Sequence, residues 1–143
     1  MKQRLSLILP VALVAAMIPL AIGQKDGKPQ GKNADKIAPS LPEKVFAEAK
    51  KKRKLLVFSR TTGFRHGSIP TGLTAVRMMG EKTGAFEAIL SDDLGNFESD
   101  KINEFDAILF LNTTGDPFFE KGKPDAQARS ERLQKNLQDF VKS

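Results

Sequence analysis

The chain has 143 residues, one His, no Cys and a formal net charge of +6, which leaves room for one ordinary domain. Hydrophobic residues make up 40% of it, enough for a core, so a wholly disordered chain is excluded. The missing Cys excludes a disulfide scaffold, a thiolate metal site and a Cys nucleophile, and the single His excludes any site built from two of its own histidines.

Residues 1–23 read as a leader and not as fold. Lys2 and Arg4 make a basic start, residues 5–22 are uncharged and almost wholly apolar, and Ala21 and Gly23 place small residues before Gln24. That order predicts a secretory signal peptide, cleaved before Gln24. The chain is then exported to the periplasm or beyond the cell, and meets the membrane only during export. The rival is an uncleaved membrane anchor, since a run of about 18 apolar residues is the lower limit for a span. Pro10 and Pro19 interrupt the run, which favours the signal peptide. No Cys follows the cleavage site, so a lipid anchor on the mature chain is excluded.

Residues 24–42 carry Gly27, Pro29, Gly31, Pro39 and Pro42 among Lys, Asp and Asn, with no apolar period. This predicts a flexible basic linker over residues 24–53. Within it, residues 43–54 fit a short helix with Val45, Phe46 and Ala49 on its apolar side, ending in Lys50-Lys51-Lys52-Arg53-Lys54. The charge divides unevenly. Residues 24–54 hold ten basic and four acidic residues, a balance of +6, whereas residues 55–143 hold 11 and 13, a balance of −2. The basicity therefore belongs to the leader and linker. No aromatic residue is interleaved in the run at 50–54. It reads as a solvated segment before the first strand, and no nucleic-acid partner is expected.

Residues 54–143 read as β-α-β-α-β-α. Leu55-Leu56-Val57-Phe58 is a continuous apolar run, as expected for a strand covered on both faces. Ser68 is placed as a helix N-cap with Pro70 in the first turn. Ile69, Leu73, Val76 and Gly80 then share one helix face, and Gly84 closes the helix. Residues 86–90 form the second strand, and Ser91-Asp92-Asp93 with Gly95-Asn96 a loop. Residues 99–105 suit a short helix with Ile102 and Phe105 inward. Ala107-Ile108-Leu109-Phe110-Leu111 is the third strand. After a long loop, residues 125–141 suit a last helix with Leu133, Leu137, Phe140 and Val141 on one side.

Apolar strands alternating with amphipathic helices predict a parallel sheet with right-handed crossovers, helices on both faces, and the first strand between the second and third. Ligands of such sheets sit beyond the carboxyl ends of the strands at the switch point, here after strands one and three. Two unusual loops begin at those ends. Residues 58–70 (FSRTTGFRHGSIP) and 110–116 (FLNTTGD), each after a strand, resemble the early motifs of the ThuA-like, or trehalose-utilisation, family. The resemblance spans residues 54–143 and implies a fold similar to flavodoxins and class I glutamine amidotransferases, and a role in sugar metabolism. The family lacks the amidotransferase Cys, as this chain does. The resemblance also implies a further strand ending in a Gly- and His-containing motif, so three strands read as the N-terminal part of such a domain. An edge left unpaired there invites association or marginal stability, and leaves a homo-oligomer open.

The loop residues define a candidate site. Arg65 can hold a carboxylate, a phosphate or vicinal sugar hydroxyls through its planar fork. Otherwise it pairs with Asp92, Asp93 or Asp116. His66 can act as acid or base near neutral pH. Otherwise it is a loop histidine bonded to backbone. These two are the catalytic candidates. The ligand-binding candidates are Thr61, Thr62, Gly63, Asn112, Thr113, Thr114, Gly115 and Asp116, whose hydroxyls, carboxylate and open backbone suit a polar ligand. The same residue types also serve tight turns. No spacing specifies a metal site, no cofactor is expected, and no G-x-S-x-G supports a Ser nucleophile. Asp92-Asp93 reads as a solvated loop. Phe118-Phe119 suits stacking on a sugar, covering the sheet edge, or burial. Three functions compete: an exported ThuA-like domain taking a small sugar or sugar derivative, a flavodoxin-like phosphate or cofactor binder, and a non-catalytic carbohydrate-binding or scaffolding domain. The absence of Trp and Tyr, which sandwich flavins, counts against the second.

Overall fold

The three apolar runs pair as parallel strands because each has hydrophobic side chains on both faces and helical crossovers between them. A computed structural model describes residues 31–47 and 50–143. The expected leader (residues 1–23) and the start of the expected linker (24–30) lie outside the described residues. The elements in chain order are α1 (Ala34–Ile37), β1 (Lys54–Phe58), α2 (Ile69–Thr83), β2 (Glu87–Ser91), β3 (Ala107–Phe110) and α3 (Ala126–Lys142). The sheet order is β2-β1-β3, all parallel, as expected from the sequence. Leu56 sits between Ile89 and Ile108, and Phe58 between Ser91 and Phe110.

Strand alternation sends Leu56 and Phe58 to one face and Val57 to the other. All three are fully buried. The first face meets Leu94, Phe97, Ile102, Phe118 and Leu133, which close the main core. Its centre is aromatic. Phe58 meets Phe97 edge-on with centroids 4.8 Å apart, and Phe97 meets Phe118 edge-on at 4.9 Å. Such perpendicular pairs add favourable quadrupole contact to area burial. Phe118 is thus a core residue, which decides its own role among the three, while Phe119 is half-buried.

Three expected helices differ in detail. In place of one helix over residues 99–105 there is a single 3₁₀ turn, Ile102–Glu104, and the stretch expected as a loop carries a second such turn, Leu94–Phe97. The Asp93 carboxylate accepts from the Gly95 amide at 2.8 Å and starts the Leu94–Phe97 turn, which is the local work of the Asp92-Asp93 pair. In α3, Leu133 is buried and Leu137 and Phe140 pack on the core, but Val141 is 75% exposed. A residue eight positions after Leu133 lies about 80° round the helix from it and misses the stripe. In α2, Gly84 takes the expected left-handed C-cap at φ 67°. Ser68 is not the side-chain cap. Its backbone is already helical, at φ −78° and ψ −20°, whereas a capping side chain needs an extended residue to reach the first amides.

The segment read as a linker carries structure from residue 31. Ala34 and Leu41 are buried against Met78 on the outer side of α2. The Asn33 amide donates to the Thr71 hydroxyl at 2.9 Å, and Lys32 Nζ to the Gly67 carbonyl at 3.3 Å. α2 therefore has two buried sides, one on the sheet and one under this strap. That is why Thr74 and Met78 are buried as well as Ile69 and Gly80. The expected helix at residues 43–54 is absent from its described part, where residues 43–47 and 50–53 are irregular and Phe46 is fully exposed.

The basic run is tied to the amino end of the sheet. Asp106 accepts from Lys51 Nζ and Arg53 Nη1, each at 2.8 Å, and from the Lys54 amide at 2.9 Å. Lys52 pairs with Glu87 at 3.2 Å. The Lys51 ammonium, the Lys54 amide and Arg53 together hold the Asp106 carboxyl well below the ordinary carboxylate range. A carboxyl with a depressed folded value stabilises the fold above its unfolded value, near 3.8, and that contribution fades as pH falls toward the folded one. Asp106→Asn should therefore lower the Tm at pH 7, and the gap to the wild type should narrow on acidification below about pH 4. Thermal melts of both chains from pH 7 to pH 2 measure this. A gap independent of pH would show that the carboxylate charge is not what anchors the run.

Candidate functional site

Parallel pairing of β1 with β3 brings the ends of both strands to the same level, so their loops leave side by side. The pairing continues into the loops. The Leu111 amide donates to the Phe58 carbonyl at 2.8 Å, Thr61 and Thr114 form a parallel bridge, and the Thr62 amide donates to the Thr114 carbonyl at 3.0 Å. The hydroxyls add to this. Thr62 Oγ1 donates to the Asp116 carbonyl at 3.0 Å, and Thr114 Oγ1 to the Phe64 carbonyl at 2.7 Å. The two TTG sequences are thus fastened to each other.

Gly115 makes this approach possible. Its φ is +72°, and a Cβ there would stand 2.4 Å from Thr62 Oγ1 and 3.0 Å from the Gly63 amide nitrogen. Gly63 lies opposite, with its own Cβ position 3.5 Å from Thr114 Oγ1. The Asp116 carboxylate accepts from the Phe118 amide at 3.1 Å, and so starts the turn that returns Phe118 to the core. Asn112, at φ 50°, donates its amide to the Ser68 hydroxyl at 3.0 Å. This is where the Ser68 side chain is used. It joins the second loop to the start of α2. Thr113 is half-buried between these contacts.

Arg65 makes none of the ion pairs considered with Asp92, Asp93 or Asp116. Its Nη1 donates to the Ser59 carbonyl at 2.8 Å, which folds the first loop back on its own root. His66 is exposed, and its carbonyl accepts from the Ile69 amide at 3.1 Å in the turn that begins α2. Its ring meets Phe64 edge-on, with centroids 4.9 Å apart and planes at 88°. Phe64 is 72% exposed. Arg60 has the opposite character, with a buried Nε that has no hydrogen-bond partner among the described residues. Sequence reasoning passed over both Phe64 and Arg60. No neighbouring residue marks Phe64, because its placement depends on the hydrogen bond from Thr114 in the second loop.

Two surface depressions lie elsewhere. One of about 350 Å³ is lined by Glu120, Lys123, Pro124, Asp125, Ala126 and Arg129. Arg129 there is paired with Glu120 and Glu98. The other, of about 280 Å³, lies at the amino end of the sheet beside Arg53 and Asp106. Neither is lined by a residue of the 59–68 or 112–116 stretches. Among the described residues no group of three His, Asp or Glu is placed to hold a metal ion, and no helix is long and apolar enough to cross a membrane.

The order strand, Arg/Thr/Gly/His loop, helix, and then strand, Asn/Thr/Gly/Asp loop, coincides with a family model. Residues 54–139 match the family described as ThuA, trehalose utilisation. The chain belongs to the ThuA family. Its parallel sheet with helices on both faces is the flavodoxin- and glutamine-amidotransferase-like α/β arrangement expected from the resemblance. No curated protein and no solved structure matches the chain significantly. Within this ThuA domain the match takes in both loops entirely.

The fastening of the loops is open to test. Gly115→Ala should destabilise the ThuA domain by about 1–3 kcal/mol, because the new Cβ meets Thr62 Oγ1 and the backbone is held at positive φ. Gly67→Ala, where a Cβ meets nothing within 4 Å, should be neutral by comparison. Denaturant midpoints of the two variants measure the difference. Equal midpoints would mean that the two loops are not tightly joined.

Proposed function

We propose that this ThuA domain takes a small sugar or sugar derivative at the carboxyl end of β1 and β3, on the loop surface formed by Arg65, His66 and the joined TTG sequences. The observation that carries this reading is the pairing of the two loops beyond the sheet, through Thr61, Thr62 and Thr114. It makes a preorganised polar surface at the switch point of a parallel sheet, where this fold class places its ligands. The trehalose-utilisation family supplies the ligand class.

The roles divide by what each group has left to offer. The Thr62 and Thr114 hydroxyls hold the loops together and meet a ligand only through their lone pairs. Arg65 spends one N–H on Ser59 and keeps the rest of its fork for hydroxyl or anionic oxygens. His66 is the proton donor or acceptor of the site, with an exposed ring that makes no ion pair among the described residues. Asn112 and Asp116 shape the second loop through Ser68 and the Phe118 amide.

Calorimetric titration of the full chain with trehalose and glucose, beside product analysis, tests this. Arg65→Ala and His66→Ala should each weaken binding or turnover about tenfold or more while leaving the thermal melt within about 2 °C, since both side chains are exposed. Unchanged binding in both variants would remove the two residues from the site.

We also propose that the domain is exported. The basic start at Lys2 and Arg4, the apolar run that follows, and the small residues before Gln24 support this. N-terminal sequencing of the secreted product should begin at Gln24. A membrane-bound product retaining Met1 would instead identify an anchor.

A further inference from the structure

A large aromatic exposed alone is ordinary, and exposure by itself says little. Phe46, fully exposed, and Val141, 75% exposed, lie outside both loops. Phe64 differs in three respects. Its backbone is pinned by the hydrogen bond from Thr114 Oγ1 to its carbonyl at 2.7 Å, so the ring is presented from a held position. Its ring stands at 88° to that of His66 with centroids 4.9 Å apart, so the two make a corner with one aromatic wall and one hydrogen-bonding wall. It also belongs to the loop that carries Arg65 and lies against the second loop.

We propose that Phe64 is the stacking platform of the site and selects a pyranose ring. A pyranose has a face of C–H bonds that packs on an aromatic ring, and an equatorial rim of hydroxyls that needs donors and acceptors. The corner offers both. The Phe64 ring takes the C–H face while the His66 nitrogens reach the rim. Arg65, drawn back to Ser59, holds the loop that carries both rings. Phe118 had been the other aromatic candidate for stacking, but it is buried at 7% exposure and has no face to offer. The inference rests on the sugar-binding reading above and adds to it a demand for a ring. An open-chain polyol has the hydroxyls without the flat face.

The test is calorimetry on the full chain with glucose, trehalose and sorbitol, comparing wild type with Phe64→Ala, Phe64→Leu, Phe64→Trp and His66→Ala. Phe64→Ala and Phe64→Leu should weaken binding of the two ring sugars by about three- to tenfold, and Phe64→Trp should restore it. The wild type should prefer both to sorbitol. Phe64→Leu keeps apolar bulk, so a loss there isolates the aromatic face from simple burial. If Phe64→Ala and Phe64→Leu bind the ring sugars like wild type while His66→Ala does not, stacking is overturned and the sugar site stands. If the wild type binds neither sugar, both readings are overturned.

Discussion

The packing of Phe118 against Phe58 and Phe97 is the contact on which the architecture of this domain turns. Phe58 is the last residue of the central strand, and Phe118 comes from the loop after β3. Burying the second ring against the first brings that loop back across the end of the sheet. Asp116, two residues earlier, is then held by its bond to the Phe118 amide, and the Asn112–Gly115 stretch is left spanning the gap to the first loop. A hydrophobic contact of long sequence separation thus sets a polar surface. The burial supplies the driving force, and the threonine hydrogen bonds supply the register.

The two ends of the sheet are used differently. At the amino end, Asp106 gathers Lys51, Arg53 and the Lys54 amide and absorbs the basic run into the fold. At the carboxyl end, Arg65 is bonded to the Ser59 carbonyl and His66 is exposed.

The strap at residues 31–41 links the two themes. It buries Ala34 and Leu41 on α2, and its Lys32 and Asn33 reach Gly67 and Thr71, beside the loop that carries His66. The first loop is therefore held on both sides, by the second loop and by the strap. α2 acquires a second buried face, and Met78 and Thr74 become interior residues.

By itself the sequence determined the three strands, the order of the sheet, the two outer helices and the positions of both loops. Continuous apolar runs and helical periods are local signals, and parallel crossovers admit few topologies. It also carried the family, through two motifs with a strand before each. What only the tertiary structure decided is which side chains are spent on the fold. Ser68 belongs to Asn112 and not to its own helix, Phe118 is core, Val141 is surface, and Leu41 is buried although it sits in a Pro- and Gly-rich stretch. Each of these depends on a partner more than 30 residues away or on an angle around a helix, and neither is written in the neighbouring residues. For the same reason the placement of Phe64 is not legible in its neighbours. Nothing local says that an aromatic flanked by Gly63 and Arg65 will be fastened by Thr114 and left facing solvent.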